Sequence, residues 1–241
     1  MSPAQVMGYE CEPANEPATS ASDVRSGSCG LRRKMPVSRW LKIGLSLFVL
    51  IHVPVNWAQY GPMGMLWLCN IALLLTLAAV WLESPLLTGM AAVGVLIIQF
   101  LWLGGLLGGL AGFGFSESLS YLINPRISLL ARWLSLYHGW LPFVLLFLLH
   151  RLGYDRRALV CYLPLAAIIY VLSFWLAPPV PTPVNRNSLP VTVNFVHGPD
   201  YHTRQSWMPP GCWLVTVMLV SSLGLFLPTH LALHRIFPPP R

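Results

Sequence analysis

The chain of 241 residues is 55% hydrophobic and only 10% charged, and its formal net charge is +7. A soluble domain carries about 25% charged residues, so this composition excludes an ordinary soluble protein. The apolar runs are continuous rather than alternating, which excludes a transmembrane β-barrel. We therefore predict an all-α, polytopic membrane protein.

The first segment of the chain, residues 1–37, is polar, rich in Ser, Pro, Ala and Glu, and without hydrophobic periodicity. Such a composition favours disorder, and we predict a disordered cytoplasmic tail. Apolar runs follow, each close to the ~20 residues that cross the hydrocarbon core. They predict a six-helix transmembrane domain over 38–235, with spans at 38–58, 62–82, 86–108, 129–150, 157–177 and 213–235, and a short tail at 236–241.

Lys and Arg are concentrated on one side of the predicted spans. The N-terminal flank carries Arg32, Arg33 and Lys34, and the loop on the same side carries Arg156 and Arg157. The positive-inside rule assigns this side to the cytoplasm, so we predict a multi-pass protein of the cell membrane with both termini cytoplasmic. The basic pieces are too short for a nucleic-acid patch, and we predict no nucleic-acid partner.

Two stretches outside the regular apolar pattern carry structural signals. Gly104, Gly108 and Gly112 recur every fourth residue, which favours close helix–helix packing in a membrane. The loop 178–212 is long and Pro-rich, and within it VTVNF alternates like a short strand. Its aromatic residues indicate that it packs against the outer face, and we predict a lid there.

Polar side chains inside the predicted spans fall at one depth. With both termini inside, they lie in the outer halves of their spans, and His138 lies about 13 Å below the outer surface at 1.5 Å per residue. Buried polar groups in lipid need partners, so we predict that they surround one outward-facing pocket. The residues at this depth are His52, Asn56, Cys69, Asn70, Gln99 and His138, with Arg132 one or two turns above.

Two of these residues are candidates for chemistry. An ionisable side chain at this depth costs roughly 2.5–3.5 kcal/mol, which makes His138 a candidate functional residue. A nearby imidazole activates a thiol, so Cys69 is a candidate nucleophile. The alternative is structural for both: a histidine bonded to a neighbouring helix, and a cysteine packed as a small hydrophobe.

The other polar residues are predicted to bind substrate. Their structural alternative is interhelical hydrogen bonding, and Arg132 either holds a lipid phosphate or reaches the interface. His197, with Asp200 and His202, could offer metal ligands, but the spacing is not a standard zinc pattern, and we predict no metal and no cofactor. The predicted substrate-binding residues are His52, Asn56, Asn70, Gln99, Arg132, Asn194 and His197.

Several short elements, taken in chain order, resemble a known family. They are Met65 to Asn70, the Gly104-Gly105 stretch leading to Asn124-Pro125, Tyr137-His138, and Asn194-Phe195. Together they are similar to the YwaF-type bacterial integral membrane proteins and their eukaryotic transmembrane acyltransferase relatives, over about residues 40–235. The resemblance implies Cys-dependent acyl transfer on membrane phospholipids, with Cys69 as the nucleophile and His138 as the general base. The chain departs from the family in the GMLWLC element and in its longer, Pro-rich late loop.

Two functions of different classes follow from these patterns. The first is a lipid acyltransferase or hydrolase that uses Cys69 and His138, with membrane lipids as its partners. The alternative is a non-catalytic subunit of a larger membrane complex, in which the Gly-rich helix packs against other subunits. A small transporter, or a protein that binds haem or a carotenoid, is a third interpretation.

Overall fold

The computed structural model describes residues 36–114, 117–176, 192–199 and 204–240. Nearly all of the tail predicted over 1–37, and the first part of the loop 178–212, lie outside these described residues. Where the structure describes the chain, its regular elements are all helical and include no β-strand. The predicted all-α class is confirmed.

The described residues contain eight α-helices. They are α1 (Arg39–Tyr60), α2 (Leu68–Leu82), α3 (Pro85–Gly108), α4 (Leu129–Ser135), α5 (Tyr137–Leu152), α6 (Ala158–Leu176), α7 (Pro210–Ser221) and α8 (Leu227–Ile236). Within the described ranges, five helical runs are long and apolar enough to cross a membrane: Arg39–Tyr60, Pro85–Phe113, Leu129–Leu152, Ala158–Leu176 and Pro210–Ile236. Helix α2 is apolar but shorter. The chain is a multi-pass helical membrane protein, as its composition predicts.

The second span begins later than the sequence predicts. The expected range is 62–82, but Gly61 turns the chain with φ 72°, Pro62–Leu66 forms a 3-10 turn, and α2 starts only at Leu68. With 15 residues, α2 is about 22 Å long at 1.5 Å per residue, shorter than the ~30 Å hydrocarbon core. The turn therefore lies at membrane depth, where irregular backbone is tolerated only against protein or a cavity.

Two other spans are interrupted. The run Leu129–Leu152 divides at Leu136, where ψ is −5° and α4 ends. The run Pro210–Ile236 contains a π-helical turn over Ser222–Phe226, just before Pro228. Proline has no N–H to bond the carbonyl four residues earlier, which accounts for the widened turn at this point.

Helix α3 lies at the centre of the bundle, in contact with α2, α5, α6 and α8. All residues from 88 to 96 are buried, as expected for a helix that is apolar on every face. Two glycines bring α6 close: a Cβ at Gly89 would meet the Ala158 Cβ at 2.8 Å, and one at Gly94 would overlap the Tyr162 ring. The residues 88–96 are called the packed half of α3 below.

The Gly-rich end of α3 does not form the predicted close contact within this chain. Apart from the helix's own backbone, nothing in the described residues lies within 4 Å of a Cβ built at Gly104, Gly108 or Gly112. The four-residue glycine repeat does not predict this contact, because the spacing does not indicate which face of α3 packs against a neighbouring helix. The close contact is made instead by Gly89 and Gly94, on the face that meets α6.

The late loop contains a turn rather than the predicted strand. Val193–Phe195 forms a 3-10 turn, in which Asn194 has φ 51°. Asn tolerates this left-handed region because its short polar side chain can hydrogen-bond locally. The strand predicted from VTVNF is therefore wrong over the described residues.

Candidate functional site

A cavity of about 550 Å³ lies among the helices at one end of the bundle. Its wall combines apolar residues with uncharged polar side chains from α1, α2, α3, α5 and α6. The structure brings together there seven of the nine residues predicted for the site: His52, Asn56, Cys69, Asn70, Gln99, His138 and Asn194. This cavity is called the pocket below.

Arg132 and His197 are not among the described residues that line the pocket. The guanidinium of Arg132 donates to the Leu122 carbonyl at 3.4 Å, so it faces the loop before α4. His197 is buried beside the Phe174 ring, with the two ring centroids 5.2 Å apart. The other two metal-ligand candidates in this loop, Asp200 and His202, lie outside the described residues. Among those that are described, no group of three or more His, Cys, Asp and Glu could hold a metal ion.

Asn70 is the centre of a hydrogen-bond network in the pocket wall. Its Nδ2 donates to the Gly64 carbonyl at 2.8 Å, which fixes the orientation of the amide. The Tyr137 hydroxyl donates to Asn70 Oδ1 at 2.9 Å, and His52 Nε2 lies 3.0 Å from the same oxygen. Because an amide oxygen only accepts, His52 Nε2 carries the proton, and the neutral ring presents Nδ1 as an acceptor.

Asn194 attaches the late loop to the first turn of α2. Its Oδ1 accepts from the Leu68 backbone N–H at 3.1 Å, one of the amides that a helix start leaves without an intrahelical partner. Its Nδ2 donates to the Leu66 carbonyl at 2.8 Å and to Ser173 Oγ at 3.0 Å. The described part of the loop therefore packs against the pocket wall and satisfies the irregular backbone before α2.

His138 has a fixed tautomer. Its Nδ1 lies 2.7 Å from the Ser135 carbonyl, and a carbonyl only accepts, so Nδ1 carries the proton. The break between α4 and α5 makes this carbonyl accessible, because the Gly139 N–H bonds to Leu136 at 2.9 Å instead. The neutral ring then has its basic lone pair on Nε2. The ring stacks on Trp102, with centroids 5.3 Å apart.

Cys69 and His138 share the pocket without a direct hydrogen bond between them in the part of the chain that the structure describes. The Cys69 thiol lies beside the Tyr137 hydroxyl. The Tyr137 ring lies 4.1 Å from the His138 ring, centroid to centroid. Tyr137 therefore contacts both candidate catalytic side chains.

Four polar atoms in the pocket wall have no hydrogen-bond partner among the described residues. They are His52 Nδ1, Asn56 Oδ1, Gln99 Oε1 and Gln99 Nε2. Gln99 is 0% exposed, so its whole side-chain amide is buried and unpaired. Leaving a buried polar group unpaired costs about 1–3 kcal/mol, and such groups in native proteins often mark functional positions.

Sequence reasoning missed the aromatic hydroxyls and indoles of the pocket. Tyr137 bonds Asn70 and contacts Cys69, and Trp102 Nε1 donates to the Tyr121 hydroxyl at 3.1 Å. Tyr121 lies in the loop between α3 and α4, and burial raises its pKa to about 12, which keeps the hydroxyl neutral. One signal could have indicated Tyr137, since a tyrosine hydroxyl inside an apolar run needs a hydrogen-bond partner.

No family model matches the chain, and no curated protein or solved structure matches it either. The resemblance to the YwaF-type proteins therefore stays a prediction.

Proposed function

We propose that the chain is a lipid acyltransferase or hydrolase that acts within the membrane, with Cys69 as the nucleophile and His138 as the general base. The observation that carries this proposal is that both side chains line one cavity between membrane-crossing helices. A concave, largely apolar site with a few convergent polar groups is the usual form of a small-ligand site. Lipid is the ligand that surrounds such a protein.

The proposed reaction has two steps. The Cys69 sulfur attacks the ester carbonyl of a lipid, and its proton passes to His138 Nε2. A C–S bond forms, the C–O bond to the lipid alcohol breaks, and the alcohol leaves with the proton from His138. Water or the hydroxyl of a second lipid then attacks the thioester, giving up its proton through His138 to the departing Cys69 sulfur.

The geometry around His138 supports its role as the base. The Ser135 carbonyl holds the proton on Nδ1, so the lone pair of Nε2 is available to accept the thiol proton. The step requires Cys69 and His138 to approach each other when an ester is bound. Catalytic hydrogen bonds are often long before substrate binds and shorten in the complex.

The test is detection of an acyl-enzyme. Purified protein in nanodiscs would be given, in parallel, a phospholipid and a diacylglycerol that carry the same deuterated acyl chain. The intact mass would be measured before and after neutral hydroxylamine. We expect a hydroxylamine-sensitive adduct that is absent in Cys69→Ala. His138→Asn, which retains an N–H near the Nδ1 position, should slow adduct formation about 100-fold or more. The matched control is Cys161→Ser, because Cys161 has a half-buried thiol on α6 and does not line the pocket. Unchanged lipid turnover in Cys69→Ala would refute the proposal.

A second candidate is a non-catalytic subunit of a larger membrane complex. The open face of α3 at Gly104 and Gly108 favours it, because small residues let a transmembrane helix of another protein approach closely. The mass of particles extracted directly from the membrane would be measured for the wild type and for Gly108→Leu. A subunit should give a wild-type particle heavier than the single chain, and Gly108→Leu should release the partner. A wild-type particle with the mass of the single chain would contradict this candidate. Equal masses above that value would exclude the glycine face as the contact.

A further inference from the structure

We propose that Gln99, together with His52 and Asn56, binds the hydroxyl and carbonyl groups of an uncharged glycerol ester. The substrate class of the pocket would then be an acylglycerol, rather than a lipid that carries a phosphate into the cavity. This inference rests on the proposed function for its ester chemistry. Binding of the acylglycerol itself does not depend on that chemistry and is tested in a protein without the Cys69 thiol.

The buried side-chain amide of Gln99 is the first observation that supports an acylglycerol ligand. It follows the packed half of α3, lines the pocket, and is 0% exposed. Neither its amide oxygen nor its amide nitrogen has a partner among the described residues. An amide offers both donors and acceptors, so its natural partner is a ligand that offers both as well. A hydroxyl beside an ester carbonyl meets that requirement.

The balance of donors and acceptors is the second reason. His52 Nδ1 is an acceptor, because Nε2 carries the ring proton and donates it in a hydrogen bond to Asn70 Oδ1. Asn56 Oδ1, an amide oxygen, is an acceptor as well. With Gln99 Oε1, three of the four unpaired atoms accept and one donates. Hydroxyl groups supply the missing protons. A phosphate dianion or a carboxylate supplies none, and its oxygens would face the lone pairs of the wall.

The third reason is the absence of a counter-charge. The described residues that line the pocket include no Lys, Arg, Asp or Glu. Arg132 lies close in sequence to lining residues but does not itself line the pocket. One nitrogen of its guanidinium bonds the Leu122 carbonyl at 3.4 Å, and its buried Nε has no partner among the described residues. An anion moved into an apolar cavity without a paired cation loses far more hydration energy than a hydroxyl does. The wall therefore selects against a charged headgroup inside the cavity.

The size and position of the pocket agree with a glycerol ester. Its volume of about 550 Å³ falls within the roughly 300–1,000 Å³ of ligand pockets. His52 and the Tyr137 hydroxyl bond the same oxygen of Asn70, and the Tyr137 hydroxyl lies beside the Cys69 thiol. A ligand held by Gln99 and His52 would thus place its ester in the part of the cavity that the Cys69 thiol shares.

The test uses a matched pair of photoreactive probes and the Cys69→Ala protein in nanodiscs, so that no chemistry on the ester is needed. One probe is 1-oleoylglycerol with a diazirine in the acyl chain, and the other is the lysophosphatidic acid with the same chain. We expect the glycerol probe to label the pocket at least about tenfold more than the phosphate probe, which corresponds to about 1.4 kcal/mol. Adding Gln99→Met should lower labelling by the glycerol probe by a similar factor.

Thr88→Val is the matched control. Thr88 is fully buried on the same helix, bonds the Ser84 carbonyl at 2.9 Å, and does not line the pocket. Its substitution should leave labelling unchanged. The unfolding temperature of Gln99→Met without lipid should equal or exceed that of the parent protein, which separates lost binding from misfolding.

The outcomes separate this inference from the proposed function. Equal labelling by the two probes, preference for the phosphate probe, or full labelling of Gln99→Met would overturn the inference, whatever the enzyme does. If the glycerol probe binds as expected while wild-type protein never forms an acyl adduct with acylglycerol or phospholipid, acyl transfer fails and the binding site stands.

Discussion

Residues 88–96 of α3 and the part of the same helix from Gln99 onward meet their surroundings in opposite ways. In the packed half every residue is buried, and the one polar side chain, Thr88, is bonded to the Ser84 carbonyl at 2.9 Å. From Gln99 onward the helix borders the pocket with an unpaired amide and then becomes exposed, with Leu101 at 68%. One continuous helix therefore supplies both a dense core and a cavity wall.

The residues of the packed half therefore stabilise the folded protein, whereas the unpaired polar residues of the pocket wall destabilise it. Tight contact of α3 with α6 and α5 gives dispersion and steric fit, which does not depend on water and therefore works inside a membrane. The pocket wall instead retains polar atoms that destabilise the free protein. Natural proteins retain such destabilising groups at positions that function requires. Substitutions in the two halves should then change stability with opposite signs.

The largest expected effect is in the packed half, with Gly94→Ala. The new Cβ would overlap the ring of Tyr162, which is fully buried and packs edge-on against Phe226 at 5.1 Å between centroids. Because the ring cannot move aside, we expect a loss of about 3 kcal/mol or more in the free energy of unfolding. Gly104→Ala, in open space on the same helix, should change it by less than about 1 kcal/mol and in the stabilising direction. Unfolding in a detergent titration measures both, and similar values would contradict the contrast.

The next effect concerns Asn194, which connects the late loop to the pocket end. Asn194→Ala removes the acceptor of the Leu68 N–H and the donor to the Leu66 carbonyl and Ser173 Oγ. It also puts Ala at φ 51°, so we expect a loss of about 2–3 kcal/mol. Asn194→Gly tolerates the backbone but still loses the bonds, and should cost somewhat less. Hydrogen exchange should speed up at the first turn of α2 in both variants. Unchanged exchange there would show that the loop does not hold the turn.

The contacts of Asn194 illustrate what sequence reasoning cannot supply. The lengths and alternating directions of the apolar spans predict that seven polar residues surround one cavity. Six of them line the pocket, and Arg132 does not. That inference works because the cost of burial in lipid acts on every helix alike. Asn194 bonds a carbonyl 128 residues away in sequence, a pairing that no local pattern contains.

Short backbone features were also hidden. The segment PMGML is apolar enough to extend a predicted span, yet Gly61 and Pro62 turn it into a 3-10 element before α2. The unpaired state of Gln99 depends on its rotamer and on which neighbours approach it, so spacing could indicate its depth but not its role. The predicted orientation, with both termini cytoplasmic, stays a prediction.

A gain in stability is expected at the pocket wall, with Gln99→Met. Methionine has a similar unbranched shape, and it removes an amide that is fully buried and unpaired among the described residues. We expect the ligand-free protein to gain about 1–2 kcal/mol in the free energy of unfolding. Thermal unfolding in detergent before and after lipid removal measures the effect. A large loss in stability would mean that the amide has a structural partner, and the contrast between the two halves of α3 would fail.

The smallest effect is expected at the end of the bundle opposite the pocket, where Glu83 closes α2. Its carboxylate accepts from Lys42 Nζ at 2.8 Å and from the Val37 N–H at 3.1 Å. The hydrogen bond from Lys42 is the main cause that lowers the pKa of Glu83 below its usual value. A carboxylate with a lowered pKa contributes stability to the folded protein at pH values above its unfolded pKa of about 4.3. This contribution is lost as the pH falls through the pKa of the folded protein.

Glu83→Gln should therefore lower the free energy of unfolding at pH 7 by less than about 1 kcal/mol, since a partly exposed pair is screened by solvent. The difference between Glu83→Gln and the wild type should begin to shrink as the pH falls below about 4.3. It should vanish once the pH has passed the lowered pKa of the folded protein, where the wild-type carboxyl is neutral like the Gln amide. Thermal unfolding at pH 7 and pH 3 measures both values. Pocket labelling by the glycerol probe should not change in Glu83→Gln, because the ion pair lies at the C-terminal end of α2 and the pocket lies at its N-terminal end. A loss of labelling would mean that the two ends are coupled through α2, and the division into a packed half and a pocket wall would have to be abandoned.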